Sequence, residues 1–198
     1  MSDENTLNID ILEIKEKGFR LFDTTANSAV LGFAGLALAA VMLGLQGIGL
    51  FGDALVVISM SIFIGGFAQV FAGIQLWWKG NNFAGTAFTA FGLFWFSFAY
   101  ILIAPFGALI AGASSMAWFL LFWGIFATGL TLGTLKLGSK ILIVVFVLLD
   151  LTFFLTAISF FGVNLSILPG IITLLLGLAS LYASLGTILN ECGYKLPL

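Results

Sequence analysis

Six long apolar stretches, separated by short polar segments, dominate the pattern of hydrophobic and polar positions along the chain. A helix needs about 20 mostly apolar residues to cross a bilayer, because each residue rises about 1.5 Å through a hydrocarbon layer about 30 Å thick. Each stretch reaches that length, so the pattern predicts an all-α integral membrane protein built as a six-helix bundle. The predicted spans are 28–51, 54–78, 83–105, 116–135, 140–162 and 167–190.

Three parts follow along the chain. Residues 1–26 form a predicted cytoplasmic N-terminal tail, 27–191 the six-helix transmembrane domain, and 192–198 a cytoplasmic C-terminal tail. The first tail mixes charged residues with apolar ones at roughly helical spacing, which is unlike the uninterrupted apolar stretch of a secretory signal. It predicts either an amphipathic helix on the membrane surface or a plain cytoplasmic tail.

The basic residues test the number of spans. With six spans, all seven of them fall on one side of the membrane, and the first, third and fifth connections contain none. Since basic residues accumulate in cytoplasmic segments, both termini are predicted to be cytoplasmic. The protein is therefore expected to be a multi-pass protein of the cell (plasma or inner) membrane. The seven residues are Lys15, Lys17, Arg20, Lys79, Lys136, Lys140 and Lys195.

Composition narrows the functional classes. Hydrophobic residues make up 61% of the chain and charged residues 8%, against about 25% charged in a soluble domain. There is no histidine and a single cysteine, Cys192, so the usual ligands of a zinc site are missing. No phosphate-binding loop or nucleophile–base pair is found. We expect no catalysis, no cofactor and no metal, and the absence of a basic stripe argues against nucleic acid.

Two polar side chains lie near the middle of predicted spans, where function concentrates in membrane proteins. Asp150 lies in the fifth span. One hypothesis is that it contacts an aqueous cavity or a polar partner and carries a proton; the alternative is a hydrogen-bonded structural carboxylic acid. Gln69 lies in the second span, and its amide either faces a pore or bridges two helices.

Aromatic and small residues also form patterns. Phe88, Phe91, Trp95 and Phe98 share one face of the third span. That stripe favours packing against neighbours or lipid, and the alternative is an aromatic pore wall. Gly129 and Gly133 form a GxxxG pair, which indicates close helix packing within one bundle or between subunits.

Several short motifs, in this order, resemble those of the acetate uptake transporter family, also called AceTr or YaaH. The resemblance covers roughly residues 27–191. The opening signature of that family, Asn-Pro-Ala-Pro-Leu-Gly-Leu, corresponds here to residues 27–33, where Ser28 and Val30 replace both prolines. Because proline at a helix start fixes its geometry, the mouth of the first span is expected to differ. The matching motifs are Gly65–Gly73, Lys79–Asn81, Thr86–Thr89, Gly92–Trp95, Gly133–Lys136, Ser180–Ala183 and Leu189–Glu191.

The resemblance implies a homo-hexamer in which each protomer carries its own path for acetate and related small monocarboxylates, in some members succinate. It places an apolar constriction at Leu36, Phe91 and Leu148. It also places a small residue that influences substrate choice at Ser180. The substrate path implied in this way contains Asn27, Leu31, Gly32, Gln69, Thr89, Phe94, Thr134 and Ser180.

Three functions stay open at this point. The leading one is a transporter or channel for small monocarboxylates, with or without proton coupling, since an apolar neck can gate by dewetting. The second is a channel for a small neutral solute such as ammonia or undissociated acid. The third is a structural membrane subunit without transport.

Overall fold

Six helices make up the fold in this computed structural model, which describes residues 26–103 and 111–198. Each helix is long and apolar enough to cross a membrane, and the described residues contain no strand. The predicted all-α, six-helix bundle is confirmed, while residues 1–25 of the predicted tail lie outside the described part. The helices are α1 (Ala29–Gly47), α2 (Leu55–Trp78), α3 (Asn82–Ile103), α4 (Ala113–Thr134), α5 (Lys140–Phe160) and α6 (Leu168–Glu191).

Local chemistry sets both ends of α1. Oδ1 of Asn27 accepts a hydrogen bond from the backbone N–H of Ala29 at 3.1 Å, which satisfies one of the unpaired donors of the first turn. The helix therefore begins at the expected place without either proline. It ends at Gly47, short of the predicted residue 51, and Gly49 follows with a φ of +83° that suits glycine.

The middle of α2 departs from α-helical geometry. Residues Ser61–Ala68 form a π-helix between two α-helical segments. A side chain at Gly65 would come within 2.8 Å of the Trp95 ring, and one at Gly66 within 2.7 Å of the Phe96 ring. The two glycines thus let α3 place aromatic rings against the α2 backbone, and π-helical turns of this kind are frequent at functional sites.

Among the described helices, α1 and α6 make the most extensive contact. They run antiparallel and approach through glycine. A Cβ on Gly44 would lie 2.5 Å from the backbone nitrogen of Leu174, and a Cβ on Gly177 would lie 2.6 Å from that of Val41. Small residues drive helix association in membranes because they permit this close approach. Oγ of Ser184 also donates to the carbonyl of Val30 at 2.9 Å.

Aromatic rings, rather than backbones, connect α3 with α4. The ring of Phe94 lies 5.7 Å from that of Phe119 and 5.3 Å from that of Trp123, measured between centroids. The predicted GxxxG pair makes no close backbone contact within the protomer. Gly129 has open space where a Cβ would stand, and Gly133 faces the ring of Phe83.

The C-terminal segment folds back onto α6. The backbone N–H of Leu196 donates to Oδ1 of Asn190 at 2.7 Å, and Nδ2 of Asn190 donates to the carbonyl of Leu196 at 2.9 Å. The hydroxyl of Tyr182 donates to the carbonyl of Pro197 at 2.7 Å. The predicted tail 192–198 is thereby held against the last helix.

Candidate functional site

A cavity of about 260 Å³ lies between five of the helices, α1, α3, α4, α5 and α6. It occupies the half of the bundle where α1, α3 and α5 end, opposite the end that carries Lys79, Lys136 and Lys140. Its wall is formed by Leu36, Ala40, Leu43, Gly47, Phe91, Phe94, Trp95, Phe98, Leu102, Met116, Leu120, Leu149, Thr152, Phe153, Thr156, Phe160, Pro169, Gly170, Thr173 and Leu176.

The cavity ends near the middle of the bundle at four apolar side chains, which we call the neck: Leu36, Phe91, Leu149 and Leu176. They come from α1, α3, α5 and α6, and each lies near the midpoint of its helix. All four are at most 4% exposed and belong to the hydrophobic core. The neck is therefore a fully apolar constriction at the depth of the middle of the bilayer.

Neighbouring rings hold the aromatic member of the neck in place. The ring of Phe91 stacks on that of Phe153 with centroids 6.1 Å apart and lies 6.0 Å from that of Trp123. Phe94, one turn outward, meets Phe153 edge-on at 5.0 Å. Such ring pairs stabilise beyond the area they bury, so the width of the neck is set by a packed cluster rather than by one side chain.

Threonine hydroxyls are the side-chain oxygens of the described cavity wall. Oγ1 of Thr156 donates to the carbonyl of Thr152 at 2.6 Å, and Oγ1 of Thr173 donates to that of Pro169 at 2.8 Å. Oγ1 of Thr152 is buried without a partner. The described wall has no charged side chain, and residues 104–110 contribute none by sequence. The indole N–H of Trp95 is the one other polar group on a side chain of that wall.

A layer of buried polar residues lies on the other side of the neck. Gln69 is fully buried, and its Nε2 donates to the carbonyl of Gly32 at 3.4 Å, while its Oε1 has no partner. Oγ of Ser180 donates to the carbonyl of Leu176 at 2.8 Å, and Oγ1 of Thr134 to that of Thr131 at 2.7 Å. Gln69 therefore bridges α2 and α1 and keeps one free acceptor.

Asp150 lies between α4 and α5, and it is not one of the residues that line the cavity. Its Oδ2 is 2.8 Å from the hydroxyl of Thr131. That hydroxyl also lies 3.0 Å from the carbonyl of Ala127 on its own helix. The carboxyl group therefore has Thr131 as a polar partner through Oδ2, while its Oδ1 has no partner.

The structure brings three of the predicted site residues together in the cavity: Leu36, Phe91 and Phe94. Leu148, predicted for the constriction, is half-buried against the core, and its neighbour Leu149 lines the cavity instead. Asn27 and Leu31 are exposed at the start of α1, and Thr89 packs beside Gly73 of α2. Gly32, Gln69, Thr134 and Ser180 belong to the polar layer on the far side of the neck.

Sequence reasoning did not identify three threonines and one leucine of the cavity, namely Thr152, Thr156, Thr173 and Leu176. Thr152 and Thr156 are four residues apart, and that spacing puts them on one helix face.

The predicted aromatic stripe is divided: Phe91, Trp95 and Phe98 line the cavity, whereas Phe88 packs edge-on against Phe33 of α1.

This arrangement defines a class: a multi-pass helical membrane protein whose apolar cavity ends at a neck in the middle of the bundle. Within that class, the chain belongs to the GPR1/FUN34/yaaH family, whose model matches residues 19–194. The family resemblance inferred from the motifs is thereby confirmed.

Several relatives of the chain are transport proteins by name. It is 38% identical over 130 residues to the succinate-acetate/proton symporter SatP of Escherichia coli (strain K12), a match that covers 65% of this chain and 69% of that relative. It is 36% identical over 140 residues to ammonia transport outward protein 2 of Saccharomyces cerevisiae, covering 65% of this chain and 48% of that protein. The solved structure of the bacterial acetate channel SatP matches with a TM-score of 0.83 and 36% identity over 88% of this chain and 98% of that one.

Proposed function

We propose that this protein moves acetate and related small monocarboxylates across a membrane through the cavity and the neck. The observation that carries the proposal is an apolar cavity ending at four buried side chains, in a chain that matches an acetate channel along 88% of its length. A neck of this kind passes small solutes with a methyl group and resists water and larger polar molecules. The activity is transport, without catalysis or cofactor.

Weak binding is expected along this route. A carboxylate is bound tightly where Arg or Lys pairs with it, and the described cavity wall contains neither. Low affinity suits rapid passage, because conduction requires that binding be weak enough to allow exit. Succinate is a further candidate substrate, since the E. coli relative is named for it.

The orientation and assembly are part of the same proposal. The basic residues at one end of the bundle support cytoplasmic termini and a cavity that opens outward from a plasma or inner membrane. Labelling of Lys136 by a membrane-impermeant reagent outside intact cells would contradict that orientation. A homo-hexamer is proposed because it is the assembly that the resemblance to the acetate uptake transporter family implies. The molecular mass of the detergent-solubilised particle tests this assembly.

The test of function is uptake of labelled acetate by proteoliposomes that contain the purified protein. We expect uptake above that of protein-free vesicles, and we expect it to be competed by other small monocarboxylates. The matched control is the same preparation assayed with labelled methylammonium. A preparation that is folded by circular dichroism and carries neither solute would contradict the proposal and support a structural subunit.

Ammonia or another small neutral solute is the second candidate. The match to ammonia transport outward protein 2 and the uncharged described wall favour it, because a neutral solute needs no fixed cation. Methylammonium uptake that acetate does not inhibit would replace the first proposal by this one.

Asp150 is proposed to act as a hydrogen-bonded structural group rather than as the proton carrier. It lies outside the cavity lining and is bonded to Thr131. The variant Asp150→Asn keeps an acceptor oxygen for that bond, so acetate uptake and its pH dependence should match the parent protein. The variant Asp150→Leu removes the acceptor and should lower the free energy of unfolding by about 1 kcal/mol. Acetate uptake at two pH values measures the first effect, and denaturation midpoints measure the second. Loss of the pH dependence of uptake in Asp150→Asn would restore the proton-carrier hypothesis.

A further inference from the structure

The threonines of the cavity differ in what their hydroxyl groups can still bind. Thr156 and Thr173 each donate their hydroxyl hydrogen to a carbonyl four residues earlier in their own helix. What they offer a solute is therefore oxygen lone pairs, which are acceptors. The hydroxyl of Thr152 makes no such bond and is buried in the wall without any partner. It is the one threonine of the described wall whose hydrogen is uncommitted.

The register of two neighbouring helices places Thr152 and Thr173 at a similar depth. Thr152 is three residues outward from Leu149 on α5, and Thr173 is three residues outward from Leu176 on the antiparallel α6. Since a helix rises about 1.5 Å per residue, both hydroxyls lie about 4.5 Å outward from the neck. Rotation about χ1 exchanges the methyl and hydroxyl groups of Thr152, so its oxygen can turn from the wall to the cavity.

A hydroxyl donor on Thr152 beside a hydroxyl acceptor on Thr173 matches the undissociated form of a carboxylic acid. An undissociated carboxyl group has one O–H donor and one carbonyl acceptor. A carboxylate has acceptors alone, and its charge is costly to bury where no cation compensates it. The described wall holds no charged side chain, and the lone pairs of Thr156 and Thr173 would face a carboxylate as repelling acceptors.

We propose that Thr152 and Thr173 form a carboxyl-binding subsite just outside the neck, and that its ligand is the undissociated acid. The hydroxyl of Thr152 donates to the carbonyl oxygen of the acid, and the acid O–H donates to Oγ1 of Thr173. The proton then crosses the neck on the substrate, so no protein side chain has to carry it. This inference rests on the proposed transport of small monocarboxylates.

The variant Thr152→Val tests the donor, because it replaces the hydroxyl by a methyl group of similar shape. Loss of one hydrogen bond should raise the KM for acetate uptake by about three- to tenfold, with kcat nearly unchanged. Thr152→Ser retains the hydroxyl and should restore the KM. The control is Thr187→Val, which makes the same replacement at a hydroxyl that donates to a carbonyl four residues earlier and lies away from the cavity. Its KM should be that of the parent protein.

Acetamide distinguishes the neutral ligand from the anion, since it has the shape of acetic acid with one donor group and one acceptor and no charge. Acetamide should compete with labelled acetate in the parent protein, and its inhibition constant should rise by about the same three- to tenfold in Thr152→Val. Acetate uptake without competition by acetamide, or competition that Thr152→Val leaves unchanged, would overturn the subsite while leaving the transport proposal intact. A parent protein without acetate uptake would overturn the transport proposal itself.

Discussion

Phe91→Ala should raise the uptake of lactate and other larger acids relative to the uptake of acetate. The substitution removes the one ring of the neck, whose other members are leucines, and so widens the restriction at its most rigid point. Discrimination between substrates that differ by a small group is typically worth about tenfold to 200-fold. We therefore expect the ratio of lactate uptake to acetate uptake to rise by about tenfold or more. Initial rates with labelled acids in proteoliposomes measure that ratio.

Two adjacent leucines supply the control for this experiment. Leu149 belongs to the neck, and Leu148 packs against the core away from the cavity wall. Leu149→Ala should shift the ratio in the same direction as Phe91→Ala, whereas Leu148→Ala should leave it unchanged. An unaltered ratio in folded samples of both neck variants would remove the neck from the route of the solute.

Leu148 and Leu149 show which part of the fold could be predicted from the sequence and which could not. The number of helices follows from a local requirement, the length of apolar chain that a bilayer demands, and most predicted spans agree with the helices to within a few residues. The face that a helix turns to the cavity is different. Lipid, the packed core and an apolar cavity wall accept the same side chains. Residues 148 and 149 are both leucine, so their residue type does not show which of them lines the cavity. Successive side chains point about 100° apart around the helix axis, so one leucine can face the cavity while the next does not.

Other parts of the site depend on contacts between distant segments. The π-helix of α2 brings Gly65 against Trp95, thirty positions later in the chain, and no local pattern indicates that pairing. The unpartnered hydroxyl of Thr152 is visible only beside the bonded hydroxyls of Thr156 and Thr173. Phe91 and Leu36 were predicted through the family resemblance, because a motif fixes a position even where periodicity does not. For Gln69, one of the two alternatives is supported, since its amide bridges α2 and α1.

The glycines of the α1–α6 contact should tolerate substitution far less well than a helical glycine that has open space around it. A Cβ at position 44 would stand 2.5 Å from the backbone nitrogen and 2.7 Å from the Cα of Leu174. Backbone atoms cannot rotate away as a side chain can, so Gly44→Ala must push the two helices apart. That displacement also loosens the approach of Gly47 to Gly170, which lies on the same contact.

Gly44→Ala is therefore expected to lower the free energy of unfolding by about 1–3 kcal/mol, the usual cost of forcing an extra methyl group into a packed interior. Gly129→Ala is the matched control. It also lies inside a helix, but a Cβ there meets nothing within 4 Å, and alanine favours helix by up to about 1 kcal/mol over glycine. Denaturation in mixed micelles, followed by circular dichroism, compares the two variants. Equal stability of Gly44→Ala and Gly129→Ala would mean that α1 and α6 are not held together by the close approach of their backbones.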